Sequence, residues 1–275
     1  MTLAYLSRIN VYPFKSLDGQ TVDRSGVLAS GAMEHDRRFA LFDAAGQLID
    51  GKRTPAVHRL YCEFDPARRY VVLRPRPDGQ PAGFQLDADR ETLERWLADH
   101  FELAAPVRIQ ENPAGGFPDD TLSPGPTVIS EATLATVAGW FAGVTVEEVR
   151  ARFRPNLEIG GVPAFFEDRL YAACDVPVEF TIGPAVFAGV NPCQRCVVPS
   201  RWSLTGEVGP DPAFAKTFAQ RRQETLPNWA DRSRFDHYFR LATNTRLVRG
   251  GGATLTVGDE VRILGPRRAA EKPAA

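Results

Sequence analysis

The densest chemistry in the sequence lies in Asn191-Pro192-Cys193-Gln194-Arg195-Cys196-Val197-Val198-Pro199. A soft metal centre needs a thiolate, and a cysteine just after a turn and next to Arg195 has its thiolate favoured by the neighbouring positive charge. A Cys-x-x-Cys pair is also half of a zinc site, but such a site takes about four ligands. No second pair exists, and His35, His58, His100 and His237 fall in no ligand-like spacing. Cys62 and Cys174 stand apart from the pair. On this motif alone, a metal thiolate, a dithiol redox pair and two half-buried packing cysteines are equally good readings.

Three other stretches carry groups suited to anions. In Arg152-Phe153-Arg154-Pro155-Asn156, Arg154 offers a planar fork of donors for a phosphate or a ring carbonyl. Asn156 offers a donor and an acceptor to a heterocycle edge, and Arg152 is expected to face solvent. In Tyr12-Pro13-Phe14-Lys15-Ser16, Lys15 and Ser16 stand at a strand end, where they can hold a phosphate. His35-Asp36-Arg37-Arg38-Phe39 places arginines at a strand start. Each has a plainer reading: a helix end with solvated arginines, a polar turn, a solvated charge. Taken singly, the plainer reading is the stronger one.

The elements that must position these groups are short. Proline and glycine are frequent and scattered, favouring many strands and tight turns. Strands are expected at residues 3–12, 39–42, 47–49 and 70–73, with a hairpin over Asp43-Ala44-Ala45-Gly46. A helix capped by Asp89 follows, with Leu93, Trp96, Leu97 and Phe101 on one face. Residues 112–126, rich in Pro, Gly and Asp, read as a linker. Beyond it, residues 127–129 form a strand ending at the N-cap Ser130, whose helix buries Leu134, Val137 and Phe141. Thr145 and Glu148 make a capping-box pair for a short helix running into Arg152. Strands follow at residues 157–159, 178–182 and 185–190, and a helix opens at Asp211 and Pro212. Residues 254–257 and 260–264 make a closing hairpin around Gly258-Asp259.

The order of these motifs is more specific than any one of them. Tyr-Pro-Phe-Lys-Ser, Asp-Arg-Arg-Phe, Ile-Ser-Glu-Ala-Thr, Arg-Phe-Arg-Pro-Asn, Cys-Gln-Arg-Cys and a late His-Tyr-Phe together resemble the MOSC proteins, over nearly the whole chain. The nearest resemblance is to the mitochondrial amidoxime-reducing component and its bacterial relatives. It implies a β-rich α+β fold: a MOSC N-terminal β-barrel domain over residues 1–115, a MOSC β-barrel domain with a few short helices over 125–265, and a disordered tail at 266–275. It implies a molybdenum–molybdopterin cofactor whose metal is bound by Cys196. Lys15, Ser16, Arg37, Ser130, Arg154, Asn156, Arg195 and Tyr238 fall at positions that contact the pterin or its phosphate, with Lys15, Ser16 and Arg37 reaching in from the first domain. The family also carries a pyridoxal phosphate label. Two departures bear on substrate: Gln194 stands where a small or hydroxyl residue is common, and residues 201–234 follow the pattern loosely.

Three functions compete. The first is a molybdenum oxidoreductase reducing N-hydroxylated small molecules, such as amidoximes or hydroxylated bases. The second is a carrier that hands on the cofactor or a cysteine persulfide sulfur. The third is a metal-free dithiol oxidoreductase, which wants Cys-x-x-Cys opening a helix, whereas Val197-Val198-Pro199 follows here. With no cysteine after Cys196, and so no C-x₄-C-x₂-C run there, electrons are expected from a separate iron–sulfur, flavin or haem protein. A net charge of −1 on 275 residues sets up no global field for nucleic acid or an acidic membrane. Arg8 and Lys15 interrupt the amino terminus, so no signal peptide is read. No stretch approaches the roughly 18 apolar residues of a membrane span. The expected location is the cytoplasm.

Overall fold

The computed structural model describes residues 3–174, 176–209 and 213–266. The first part of the chain forms β1 (Tyr5–Val11), β2 (Gln20–Val22), β3 (Arg24–Gly26), β4 (Phe39–Phe42), β5 (Leu60–Asp65), β6 (Tyr70–Pro75), β7 (Ala82–Gln85), α1 (Arg90–His100) and β8 (Arg108–Glu111). The second forms β9 (Val128–Ser130), α2 (Glu131–Ala138), α3 (Val146–Phe153), β10 (Leu157–Gly160), β11 (Val178–Ile182) and β12 (Ala185–Gln194). It ends with α4 (Phe214–Glu224), β13 (Arg240–Arg249), β14 (Thr254–Thr256) and β15 (Val261–Pro266). The protein is thus α+β and β-rich.

Among the described residues the largest sheet has eight strands, ordered β15-β11-β12-β13-β9-β10-β1-β2. It curls back on itself. Tyr5 bridges Glu260, Leu6 N–H donates to Asp259 O at 2.8 Å, and Val261 N–H to Ala4 O at 2.9 Å. The sheet therefore closes into a barrel through β1, a strand of the amino-terminal part. Alternation fills it: Val178, Phe180 and Ile182 of β11 are buried while Glu179 and Thr181 are half-buried, as a period of two requires. Leu6, Ile9, Leu157, Phe187, Leu255 and Val261 complete that core.

A second core lies wholly within the first part. Phe14, Phe39 and Phe64 pack ring on ring, with centroids 4.8–5.9 Å apart. Leu93 and Leu97 of α1 close over them. Pro13 and Lys15 are stitched to β4 through Phe39, whose N–H donates to Pro13 O at 3.0 Å and whose carbonyl accepts from Lys15 N–H at 2.8 Å. The chain leaving barrel strand β1 is thereby fixed to the second core. Among the described residues no helix is long and apolar enough to cross a membrane.

Several local expectations change. Asp89 occupies the N-cap position of α1 without capping it; its carboxylate accepts instead from Gln85 N–H at 2.7 Å. The Asp43 hairpin forms as expected, with Phe42 bridging Leu48 and Ile49 N–H donating to Leu41 O at 2.8 Å, but β4 also pairs along its other edge with β8, 66 residues or more further on. The Gly258-Asp259 turn also forms, with β14 pairing to β3 and β15 to β11 rather than to each other. Strand β13 escapes the sequence pattern because its inward residues include Thr243 and Thr245, fully buried and bonded to Glu167 O and Pro126 O at 2.7 Å each. The helix start expected at Asp211 and Pro212 and most of the expected tail lie outside the described residues.

Behind α2 sits a buried charged cluster. Asp168 pairs with Arg222 of α4 at 2.6 Å, and both are almost fully buried. Glu167 beside it accepts from Ser130 N–H at 3.1 Å and Thr133 Oγ1 at 3.0 Å, while its Oε1 has no partner. Burial, and then the Asp168 charge, raise the Glu167 carboxyl well above its ordinary 4.5. The folded chain therefore holds a proton that the unfolded chain releases above that value, and stability falls as pH rises towards neutrality. Replacing Glu167 by Gln is expected to leave Tm unchanged near pH 4 and raise it by about 2–4 °C at pH 8, for a gain of ~1 kcal/mol. Equal shifts at both pH values, read by thermal melting, would contradict the assignment.

Candidate functional site

A cleft of about 1000 Å³ opens where the second core meets the barrel. Its walls come from the exit of β1, the approach to β4, residues 118–127, the end of α3 and the end of β12. Seven of the nine residues expected from sequence line it: Lys15, Ser16, Arg37, Arg154, Asn156, Arg195 and Cys196.

The thiol end is built by β12, which runs to Gln194 and is continued by Arg195 N–H donating to Phe239 O at 3.1 Å. In an extended chain side chains alternate, so Cys193 and Arg195 share a face. Arg195 Nη1 accordingly contacts Cys193 Sγ at 3.2 Å. The arginine expected to support Cys196 thus supports Cys193. Cys196 is free and exposed, and Cys193 is free and half-buried. Among the described residues no three His, Cys, Asp or Glu side chains gather as a metal site. Cys193 and Cys196 both line the cleft, and Cys196 is the more exposed thiol.

The cationic end centres on Tyr12. Its ring carries the Arg154 guanidinium at 4.1 Å from the centroid and that of Arg37 at 5.1 Å. Its hydroxyl donates to Pro155 O at 3.1 Å. Burial pushes the Tyr12 phenol up to about 12 against the pull of both arginines, so it stays a neutral platform. Arg37 is held by Asp36 and reaches Asn156 Oδ1 at 3.3 Å. Lys15 Nζ meets Phe117 O and Asp119 at 2.8 Å each. Asp119 stays largely exposed; the desolvation it meets at the cleft wall is outweighed by the Lys15 and Arg37 charges, which hold its carboxyl down at about 2.

Arg154 and Arg195 differ from these. Among the described residues neither has a carboxylate at ion-pair distance, and Arg154 Nη2 and Arg195 Nε are buried without a hydrogen-bond partner. Arg195 donates through Nη2 to Phe153 O and lies over the Phe153 ring. Asn191 Oδ1 and His58 Nε2, also on the cleft walls, are likewise buried and unpartnered. Unmet donors on cations facing one cavity fit an anionic ligand. Ser16, Arg37 and Arg154 have φ of 72°, 48° and 52°, a left-handed backbone that costs a non-glycine residue about 1 kcal/mol or more and gathers at ligand sites.

The structure reassigns other residues. Ser130 is fully buried, accepts from Thr133 N–H at 3.1 Å as the cap of α2, and does not line the cleft. Tyr238 stacks on Phe235 at 5.5 Å, away from the cleft; Arg240, two residues on, is the one that reaches it. Asn156 lines the cleft, but its amide already bonds Thr127, Arg37 and Asn10 O. Arg152 is not solvated: its side chain is 2% exposed and paired with Glu148 at 2.7 Å. The expected linker is a cleft wall, since Phe117 and Asp119 hold Lys15. Tyr12, Asp119 and Asn191 went unassigned. Tyr12 and Asn191 are the first residues of two quoted motifs; Asp119 has only its place in an acidic loop to mark it.

A closed barrel and a smaller α+β unit share one cleft holding an exposed thiol and two guanidinium groups that are unpaired among the described residues. The chain belongs to the MOSC domain family: the MOSC N-terminal beta barrel domain matches residues 3–123 and the MOSC domain residues 127–262. MOSC domains are associated with molybdenum-cofactor-binding proteins. No curated protein matches the chain.

Replacing Arg154 by Gly separates strain from function. Glycine relieves the left-handed backbone, so ligand-free Tm is expected at or above that of the parent while anion binding in the cleft falls. Arg152→Ala should do the reverse, lowering Tm by several degrees through loss of a buried pair, a change of about 3 kcal/mol. Melting curves and ligand content of the two purified variants check both; a lower Tm for Arg154→Gly would remove the functional reading of its backbone.

Proposed function

We propose that this chain binds a molybdenum–pterin cofactor in the cleft, with Cys196 as the protein ligand of the metal. We further propose that it reduces N-hydroxylated small molecules with electrons from a separate redox protein. The observation that carries the reading is the pairing of one exposed thiol with two guanidinium groups that have no carboxylate partner among the described residues, in a single cleft. A terminal phosphate satisfies those donors, and a thiolate suits molybdenum.

The bound cofactor supplies the two-electron redox chemistry. Arg154, stacked on Tyr12, and Arg195, stacked on Phe153, give fixed positive charge to the anionic tail. Lys15 and Arg37 are already half-neutralised by Asp119 and Asp36, so they orient the ligand rather than dominate its affinity. The second core screens this end from water on one side, which strengthens each contact. The chain after the pair speaks against the dithiol reading, because Val198–Ser200 form only a short 3₁₀ turn where a dithiol motif wants to open a helix.

Protein made in a cofactor-competent host is expected to carry molybdenum and pterin near one per chain, by elemental analysis and pterin fluorescence. Cys196→Ser should abolish reduction of an amidoxime; Cys193→Ser, which keeps an acceptor for Arg195, should retain most of it. NADH alone should give no turnover until an iron–sulfur, flavin or haem reductase, or a dye donor, is added. Cyanide-labile sulfur on Cys196 without turnover would point to the carrier reading instead, and loss of activity in both serine variants with metal retained would restore the dithiol.

A further inference from the structure

Cys196 lies on a short span clamped on either side, and both clamps close on α3. Upstream, Arg195 donates to the carbonyl of Phe153, the last residue of α3, with its guanidinium 5.2 Å from that ring. Downstream, Glu148 in the first turn of α3 accepts from Ser203 N–H at 2.9 Å and from the Ser203 hydroxyl at 2.7 Å. Arg152, one turn on, pairs with Glu148 at 2.7 Å. Its guanidinium also reaches Pro199 O at 3.5 Å and covers the Trp202 ring at 4.4 Å.

The clamped segment is itself stiff. Arg201 pairs with Val208, Trp202 N–H donates to Glu207 O at 2.9 Å, and Gly206 N–H to Trp202 O at 2.9 Å. The capping pattern of α3 shows where Glu148 has been diverted. Thr145 Oγ1 accepts from Glu148 N–H at 3.1 Å, but the Glu148 carboxylate turns to Ser203 and Arg152 instead of completing the box. With side-chain exposures of 15% and 2% for Glu148 and Arg152, these charge-assisted bonds are little screened by solvent or salt.

We propose that Glu148 and Arg152 are positioning residues that fix Cys196 relative to Arg154. Arg154 is the next residue after α3, so the helix spans both ends of the site: its side chains hold the thiol-bearing segment, and its terminus carries the unpaired cation. The spacing between thiol and anion pocket is set by one rigid element, which suits a ligand with a fixed distance between its metal-binding and anionic ends. The proposal rests on the reading of Cys196 and Arg154 given above, but the clamp is measurable without cofactor.

The test uses a nitroxide spin label on Cys196 in the full metal-free chain carrying Cys174→Ser and Cys193→Ser. A reference chain is labelled at Cys174 with Cys193→Ser and Cys196→Ser. Ser203→Ala removes one hydroxyl, and Glu148→Gln removes the charge. Both are expected to shorten the rotational correlation time at position 196 about threefold, as a local contact is lost, with no change at position 174. Ser203→Thr, which keeps the hydroxyl, should match the parent. If Glu148→Gln does not fold, Ser203→Ala alone decides. Unchanged mobility at 196 in folded Ser203→Ala protein, or equal change at 174, would overturn the clamp. A clamp that passes in a chain that never takes up molybdenum would refute the proposed function and leave the positioning intact.

Discussion

The site depends on two half-buried guanidinium groups, each with one enclosed nitrogen that has no partner, and among the described residues no carboxylate meets them. Desolvating part of an unpaired charge is unfavourable, and the protein offsets that only in part. Arg154 has the face of Tyr12, and Arg195 has the face of Phe153 and one carbonyl. Burial, with Arg37 adding like-charge repulsion, works against the charged form of Arg154. Every other cation singled out at this end of the cleft has an acid: Lys15 has Asp119, Arg37 has Asp36, and Arg152 has Glu148. A cleft assembled for stability alone would pair these two as well, and an incoming anion removes the imbalance.

Bringing those groups together requires both family segments at once. Tyr12 leaves barrel strand β1, and Phe14 enters the second core two residues later. The same strand closes the barrel against Glu260 at its other end. The cationic platform therefore cannot shift without disturbing one core or the other. Asn156 locks the joint: its amide ties Thr127, Asn10 and Arg37 together from a fully enclosed position. With its carbonyl shared between Thr127 and Arg37 and its amide donating to Asn10 O, it is a keystone of the cleft wall before it is a reader of ligand edges.

Much of this was legible in the sequence, for identifiable reasons. Cys196, Arg154, Lys15, Ser16 and Arg37 lie in motifs whose order is the signal, and short motifs survive because local backbone is read locally. Ser130 and Tyr238 lie in equally good motifs, yet one caps α2 and the other packs on Phe235. A serine followed by a helix looks the same whether its hydroxyl faces a cap or a ligand. Arg152 was misjudged because helical spacing places it near the charged surface, while the Trp202 ring that covers it comes from 50 residues away. Strand β13 was hidden by buried threonines, whose hydroxyls find distant carbonyls that no periodicity reveals. The ladder partners of β4, β14 and β15 come from distant parts of the sequence, a constraint on the whole chain that no local run reveals.

The backbone at Arg154 shows how the two kinds of information meet. A helix ending in a left-handed residue ordinarily places glycine there, because a Cβ is penalised. Here the residue at φ 52° and ψ 49°, whose N–H donates to Arg150 O at 2.8 Å, is an arginine. The turn does not need the side chain, and the conformation disfavours it. Ser16 and Arg37 occupy the same region of backbone space and line the same cleft. Left-handed turns tilt successive peptide planes sharply, so they aim a side chain where a helix or strand continuation would not. Three separate turns aimed into one cavity, each carrying a polar side chain at a conformational cost, are hard to explain by stability. They are what is expected when the spacing between a cation pair, a hydroxyl and a thiol is the property under constraint.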